Sequence, residues 1–431
     1  MIPAESTESG GAVNLDRLRA CLDRILAETP VLDMHTHLYP SAFQSLSLWG
    51  IDELVTYHYL IAELFRSSPV KPAEFWSRSK TQQADLIWET LFVRNTPLSE
   101  AGRGIVAALE AFGLDPNASS LREARDFFAS RNAEAHIRET LALAGVSEVV
   151  MTNDVFDETE TSYWERSPGP HPLFHAVLRM DPLLNTWDKA KGLLEKRGYA
   201  ADSEISAGAV REVRRFLEDG IARLHPIYLA VSLPPDFQFP DLSPRSRLLA
   251  EAVFPVCRER DLPFAMMIGV RKLANPELRD AGDSVGHADI RVVETICRDY
   301  PENRFLVTML SRENQHELCV ASRKFANLMP FGCWWFLNNP SIISEITTER
   351  IELLGSSFIP QHSDARILEQ VVYKWAHSRR VIADSLEAAY RALIRDGWKL
   401  TVTQIRRDAE RLFQNNFRRW TNLPPRKMSA P

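Results

Sequence analysis

The chain has 431 residues, 45% of them hydrophobic and 25% charged, with a formal net charge of −6. Such proportions belong to an ordinary globular protein, and the mild acidity excludes a general attraction to nucleic acid or anionic lipid. Length alone suggests two or three domains, although barrels carrying insertions also reach this size.

The opening residues 1–13, MIPAESTESGGAV, are small and polar and read as a flexible N-terminus. They lack the basic and apolar regions of a secretory signal, and no apolar run reaches the roughly 18 residues of a membrane span. Five cysteines (Cys21, Cys257, Cys297, Cys319, Cys333) are scattered without CxxC spacing. That argues against a disulfide framework or zinc ribbon and for a reducing, cytoplasmic setting.

Residues 14–28 form an amphipathic helix pattern, with Leu15, Leu18, Leu22, Ile25 and Leu26 on one face. A short apolar strand follows in TPVLDMHTHLYP. From 48 to 145 helical periods take over (QQADLIWETLFV, SEAGRGIVAALEAFG, SLREARDFFASR), which predicts an all-helical insertion too long for an ordinary loop.

Beyond 146, strands and helices alternate. Strands are read at SEVVMT, FHAVLRM, IYLAVSL, FAMMIGV, FLVTML, LMPFGCWWF and SFIPQH. Segments such as AVREVRRFLEDG, RLLAEAVFPVC, DIRVVETICRDY and HELCVASRKFA separate most of them. With the strand ending at Asp33 the count is eight, and eight parallel strands close a barrel. The fold class is therefore a (β/α)8 barrel over 14–47 and 146–431, with a helical insertion of 48–145 after strand 1. An open doubly wound sheet is the rival, but no GxGxxG follows the first strand. Near the C-terminus Arg406, Arg407, Arg411, Arg418 and Arg419 recur at helical spacing and read as a solvated helix face.

A barrel places its reactive groups where strands stop. Strand 1 stops at Asp33-Met34-His35-Thr36-His37, and alternation turns His35 and His37 the same way. Strand 8 stops at His362-Ser363-Asp364-Ala365-Arg366, beside strand 1 once the barrel closes. Two imidazoles and a carboxylate with an open fourth position suit one divalent metal, zinc by preference, in a catalytic site. The bland alternative is two hydrogen-bonded loop histidines.

HTHLYP, WGIDELVTYHYLIAELFR, FGCWWFLNN and HSDAR occur in an order that resembles the uronate (glucuronate) isomerase family of the amidohydrolase superfamily. MTNDVFD, VLRMDPLLN, MIGVRK, VTMLSRENQHEL and LFQNNFRRW extend the resemblance over about residues 30 to 420. It implies that His35, His37 and Asp364 bind metal, that His58 and Tyr59 reach the substrate, and that Arg179 and Arg366 hold it. Trp335 would be an active-site tryptophan. In the Trp-Trp-Phe run, strand alternation would turn Trp334 and Trp335 to opposite faces, leaving one for the substrate.

The implied reaction interconverts an aldose acid, a hexuronate such as glucuronate or galacturonate, and its keto acid. It moves one proton between adjacent carbons, and needs an acid/base, a stabiliser for the enediol and a carboxylate clamp. A guanidinium matches both carboxylate oxygens, and Tyr59, Asp364 and a metal-bound water are the proton-moving candidates. Two positions depart from the family pattern. Met267 stands where a His is usual, and Ser232 and Leu233 stand where an Asp-His pair is usual, with Asp236 three residues beyond Leu233 as a substitute. His225 is the nearest candidate for a second metal's ligand but precedes its strand, so one metal is expected. The competing reading is a mononuclear metal-dependent hydrolase or lyase on a carboxylated substrate, and a third is a sugar-acid-binding protein without turnover. The partner expected is a small sugar acid, not nucleic acid or membrane. A homo-oligomeric state stays open.

Overall fold

The structure, a computed structural model, describes residues 12–166 and 171–425. Its strands are β1 (Val31–Asp33), β2 (Val146–Val150, resuming at Asn153–Asp154), β3 (Phe174–His175, resuming at Leu178–Arg179), β4 (Leu229–Leu233), β5 (Phe264–Ile268), β6 (Phe305–Met309) and β7 (Leu328–Pro330). The eighth, β8, is a short extended segment that bridges Phe331 through Ile359.

Every pairing between these barrel strands is parallel and follows chain order from β1 to β8, while Val270–Arg271 and Ser284–Val285 form a separate antiparallel pair. The ring closes between its ends: Asp364 N–H donates to His35 O at 3.2 Å, and His37 N–H donates to Ala365 O at 2.7 Å.

The pleat sorts side chains between two cores. Leu229, Val231 and Leu233 of β4, with Phe264, Met266 and Ile268 of β5, pack outward against the helical layer. Ala230, Ala265, Met267 and Leu306 point inward, with Tyr228, Met34 and Phe331. Strands buried on both faces read as continuous apolar runs, which is why these segments stand out in the sequence. The helix Leu15–Glu28, capped by Asn14 Oδ1 accepting Arg17 N–H at 2.9 Å, buries Leu18, Leu22, Ile25 and Leu26. Its apolar face packs on the long helix Gln370–Arg395.

Between β1 and β2 the chain is helical, from Ile51–Val55 through His58–Ser67, Lys80–Trp88 and Glu100–Ala111 to Ala133–Leu143. These helices bury their own cluster, including Leu64, Phe75, Trp88 and Ile105, joined by Ile367 from the segment after β8. A polar latch ties them down: Glu369, fully buried, accepts from Gly50 N–H and lies 2.7 Å from His136 Nε2.

Three expectations are corrected. The flexible N-terminus lies outside the described residues up to residue 11, but Ala12 bridges Thr401 and Val13 N–H donates to Leu400 O at 2.7 Å. Arg418 is not on a solvated face: it is buried and paired with Glu148 of β2. A buried carboxylate requires a partner, and a helix packed beneath the barrel supplies it. Finally, LMPFGCWWF is extended only as far as Phe331. Gly332 turns the chain at φ 63°, and Trp335 opens a one-turn helix at φ 47°, so strand alternation does not apply to the tryptophans.

Candidate metal centre and active site

His35, Thr36 and His37 continue from β1. Thr36 N–H donates to Val150 O at 2.8 Å and its hydroxyl to the same carbonyl at 2.9 Å, turning Thr36 toward β2 and the two imidazoles to the other side. Four residues after the Ile359 bridge of β8, Ser363 N–H donates to Asp33 Oδ1 at 3.0 Å, and Lys374 Nζ and Asn338 Nδ2 donate to Ser363 O. These bonds, with those to His35 and His37, over-determine a backbone that carries Asp364 at φ 50°. A non-glycine residue is disfavoured there and needs such support.

Asp364 Oδ1 then lies 3.5 Å from His35 Nε2 and 3.4 Å from His37 Nε2, and one ligand atom from each of the three falls within 4.8 Å of the others.

The surrounding hydrogen bonds assign the imidazole tautomers. Thr152 gives its hydroxyl proton to Thr36 O at 3.0 Å, so at 3.0 Å it accepts from His37 Nδ1–H. Tyr228 gives its own to Met34 O at 2.8 Å, so at 3.4 Å it accepts from His35 Nδ1–H. Both Nε2 atoms therefore present lone pairs toward Asp364 Oδ1, which is buried without a hydrogen-bond partner. Burial holds His35 and His37 below the ordinary imidazole pKa, with Asp364 opposing. Burial pushes Asp364 up, while a hydrogen bond from His37 and the charges of His37, His35 and His362, which act only when those rings carry a second proton, hold the carboxyl well below the usual range. Three electron-pair donors with no proton between them form a socket for a cation, and the outer hydroxyls fix the ring orientations as second-shell partners do.

Above the triad opens a cavity of about 360 Å³. His58, Trp335, Arg179 and Arg366 line it, as expected from the sequence. His58 is lowered to about 3 by burial, against Asp364, and so is a neutral imidazole. Its ring stands edge-on to Trp335 at 5.5 Å. Arg179 is anchored through Nε and Nη2 to Asp181 and through Nη2 to Ser232, while Arg366 is half exposed, 4.0 Å from Asp280.

Tyr59 is not part of the lining. It lies behind His58, 4.4 Å between centroids, and its hydroxyl is buried without a partner. Tyr57 lines the cavity in its stead, and both tryptophans face it.

The departures from the family pattern sort cleanly. Ser232 and Met267, register partners across β4 and β5, face the cavity, whereas Leu233 faces the outer helices. Asp236 and His225 are exposed and outside the lining.

Residues not singled out from sequence include Thr152, Asp154, Tyr228 and Lys272. Thr152 and Asp154 follow the apolar run of β2, and that strand-end position was their available signal. His362 is another. It packs 5.2 Å from His35, and a Cβ at Gly332 would fall 1.7 Å from its Nδ1, so only glycine fits there.

Eight parallel strands with a His-His-Asp socket at their C-terminal ends define an enzyme-type β/α barrel able to hold a metal ion. No family model matches the sequence, and no curated protein matches it. Solved structures do. A uronate isomerase from Bacillus halodurans C-125 is similar with TM-score 0.93 and 50% identity, over 95% of this chain and 97% of that one. The chain belongs to the uronate isomerase family. A glucuronate isomerase from Caulobacter crescentus (TM-score 0.76, 14% identity, 99% and 98% coverage) shares its fold. So does a uronate isomerase from Thermotoga maritima (TM-score 0.75, 14% identity, 95% and 98% coverage). No helix among the described residues is long and apolar enough to cross a membrane.

Proposed function

We propose that the protein is a uronate isomerase, interconverting a hexuronate and its keto acid. The observation that carries this reading is the convergence of two imidazole lone pairs and a partnerless carboxylate oxygen beneath a cavity lined by two arginines. His35, His37 and Asp364 would hold one divalent metal, for which an N₂O donor set suits zinc. When bound, it would polarise the sugar oxygen on the carbons that exchange the proton.

The chain supplies the rest. Arg179 is pre-set by Asp181 and Ser232 and keeps Nη1 for the ligand, while Arg366, also on the cavity wall, clamps a carboxylate. His58, neutral, hydrogen-bonds a substrate hydroxyl. Asp364, ionised, and Tyr59, whose pKa burial raises so that the phenol stays protonated, move the proton between adjacent carbons. The Tyr59 hydroxyl is buried without a partner behind His58, so this role requires it to reach the cavity. Trp335 forms an apolar wall. The insertion of 48–145 acts as a unit that completes the site through His58 and Tyr59, and the five free cysteines fit a cytoplasmic enzyme.

A coupled assay over a hexuronate panel tests this: the metal-loaded protein should form a ketose acid from at least one member. Tyr59→Phe should lower that rate by about 10²- to 10⁴-fold, the range for a positioned acid or base. It should leave thermal stability unchanged or slightly raised, because the hydroxyl it removes has no partner. Ketose from no member would end the proposal.

A further inference from the structure

The mouth of β2 carries three carboxylates on the cavity wall, Asp154, Asp157 and Glu160. The fold saturates one of them and leaves another to solvent. Asp157 is exposed, and its Oδ1 accepts Glu160 N–H at 2.7 Å in the first turn of the helix Glu158–Arg166. Glu160, buried, accepts from Asn153 Nδ2, Trp164 Nε1, Asp154 N–H and the Tyr39 hydroxyl.

Asp154 is different. Its Oδ1 accepts Phe156 N–H at 2.8 Å, and its Oδ2 has no donor among the described residues. Arg179, near enough to influence it, commits Nε and Nη2 to Asp181 and Ser232 instead. A half-satisfied carboxylate on the wall of a site for anions repels its ligand unless the ligand brings a donor. Chain hydroxyls are the donors that a sugar acid brings.

We infer that Asp154 reads the configuration of the sugar chain, its Oδ2 accepting a hydrogen bond from one chain hydroxyl and so discriminating epimers at that carbon. The inference rests on the reading of this cavity as a sugar-acid site. It makes Asp154 a specificity-determining residue: a site built to bond a hydroxyl rejects ligands that lack it or present it on the wrong face, because its acceptor is then left unpaired.

Asp154→Asn is the informative substitution. Asn Oδ1 keeps the Phe156 N–H bond, which turns Nδ2 to the cavity and presents a donor where an acceptor stood. The measurement is calorimetric binding of D-gluconate, D-galactonate, D-mannonate and hydroxyl-free adipate to the metal-loaded protein. The substitution should weaken the best hexonate about 10- to 100-fold, the range for a hydrogen bond to a charged group. It should bring the hexonates to within about threefold of one another, and leave adipate equal or tighter because a negative charge has gone. Adipate weakening together with the hexonates would mean a merely structural role, and retained epimer preference would mean another residue does the reading; either overturns the inference. Wild-type binding without epimer preference overturns it alone, while binding of no hexonate overturns the sugar-acid reading as well. Metal content and Tm should match wild type, and Asp154→Ser, which keeps an acceptor for Phe156 N–H, gives the same test should the Asn variant not fold.

Discussion

Where β8 meets β1 and β2, the side chains facing the cavity are His35, His37, Asp364, Thr152 and Asp154; where β4 meets β5, the equivalent strand-end positions hold Ser232 and Met267. Both halves pair in parallel, but β1 shifts register against β2 between Val31 and Leu32 and Asp364 sits at φ 50°, whereas β4 and β5 pair regularly. The larger difference lies in the side chains, and it shows how a barrel localises chemistry: the fold supplies eight similar positions and the sequence arms only some. Among the described residues, His35, His37 and Asp364 form the one group able to hold a metal ion. On the plain half Ser232 serves by holding Arg179, and Met267 offers a polarizable apolar surface.

The sharpest way to break this contrast is to disarm the first half. His35→Ala should abolish stoichiometric metal and lower isomerisation by about a thousandfold, ~4 kcal/mol of transition-state stabilisation. Metal analysis alongside the coupled assay checks it, and a variant that still bound one equivalent would refute the ligand assignment. One layer out, Thr152→Val removes the acceptor of His37 Nδ1–H. Metal affinity should fall about 10- to 100-fold, as when other groups that orient a ligating imidazole are lost, and a competition titration with a chelator measures it. The smallest effect is expected across the barrel. Met267→Leu conserves volume and should change turnover less than about threefold and stability by under about 1.5 kcal/mol, by coupled assay and denaturant titration. A tenfold loss of turnover would show that the plain half takes part in the chemistry.

How much was legible in the sequence follows from what each feature depends on. The strands stood out because burial on both faces makes apolar runs, as in FAMMI of β5. His35, His37 and Asp364 were found because strand ends and alternation are local facts that barrel topology then brings together. Thr152 and Tyr228 were not found. Their hydroxyls accept hydrogen bonds from rings on another strand, and no spacing along the chain encodes a contact across 115 or 193 residues. Trp334 and Trp335 were given strand geometry because the apolar run continues past Phe331, whereas the backbone turns at Gly332 to clear His362. The helical spacing of Arg418 tells which residues share its face but not that Glu148 of β2 lies opposite. The helical insertion announced its secondary structure but not the depth of its side chains, so Tyr57 on the wall and Tyr59 behind His58 could not be told apart.

The seam between β1 and β8 has one more consequence. His35 and Asp364 stand more than 300 residues apart in the chain yet share one socket. A nascent chain therefore lacks the third group of the socket until Asp364 has been made. Ion capture would act as a late staple that rewards the finished ring over any partial one, since a ligand that binds only the folded form stabilises it by mass action.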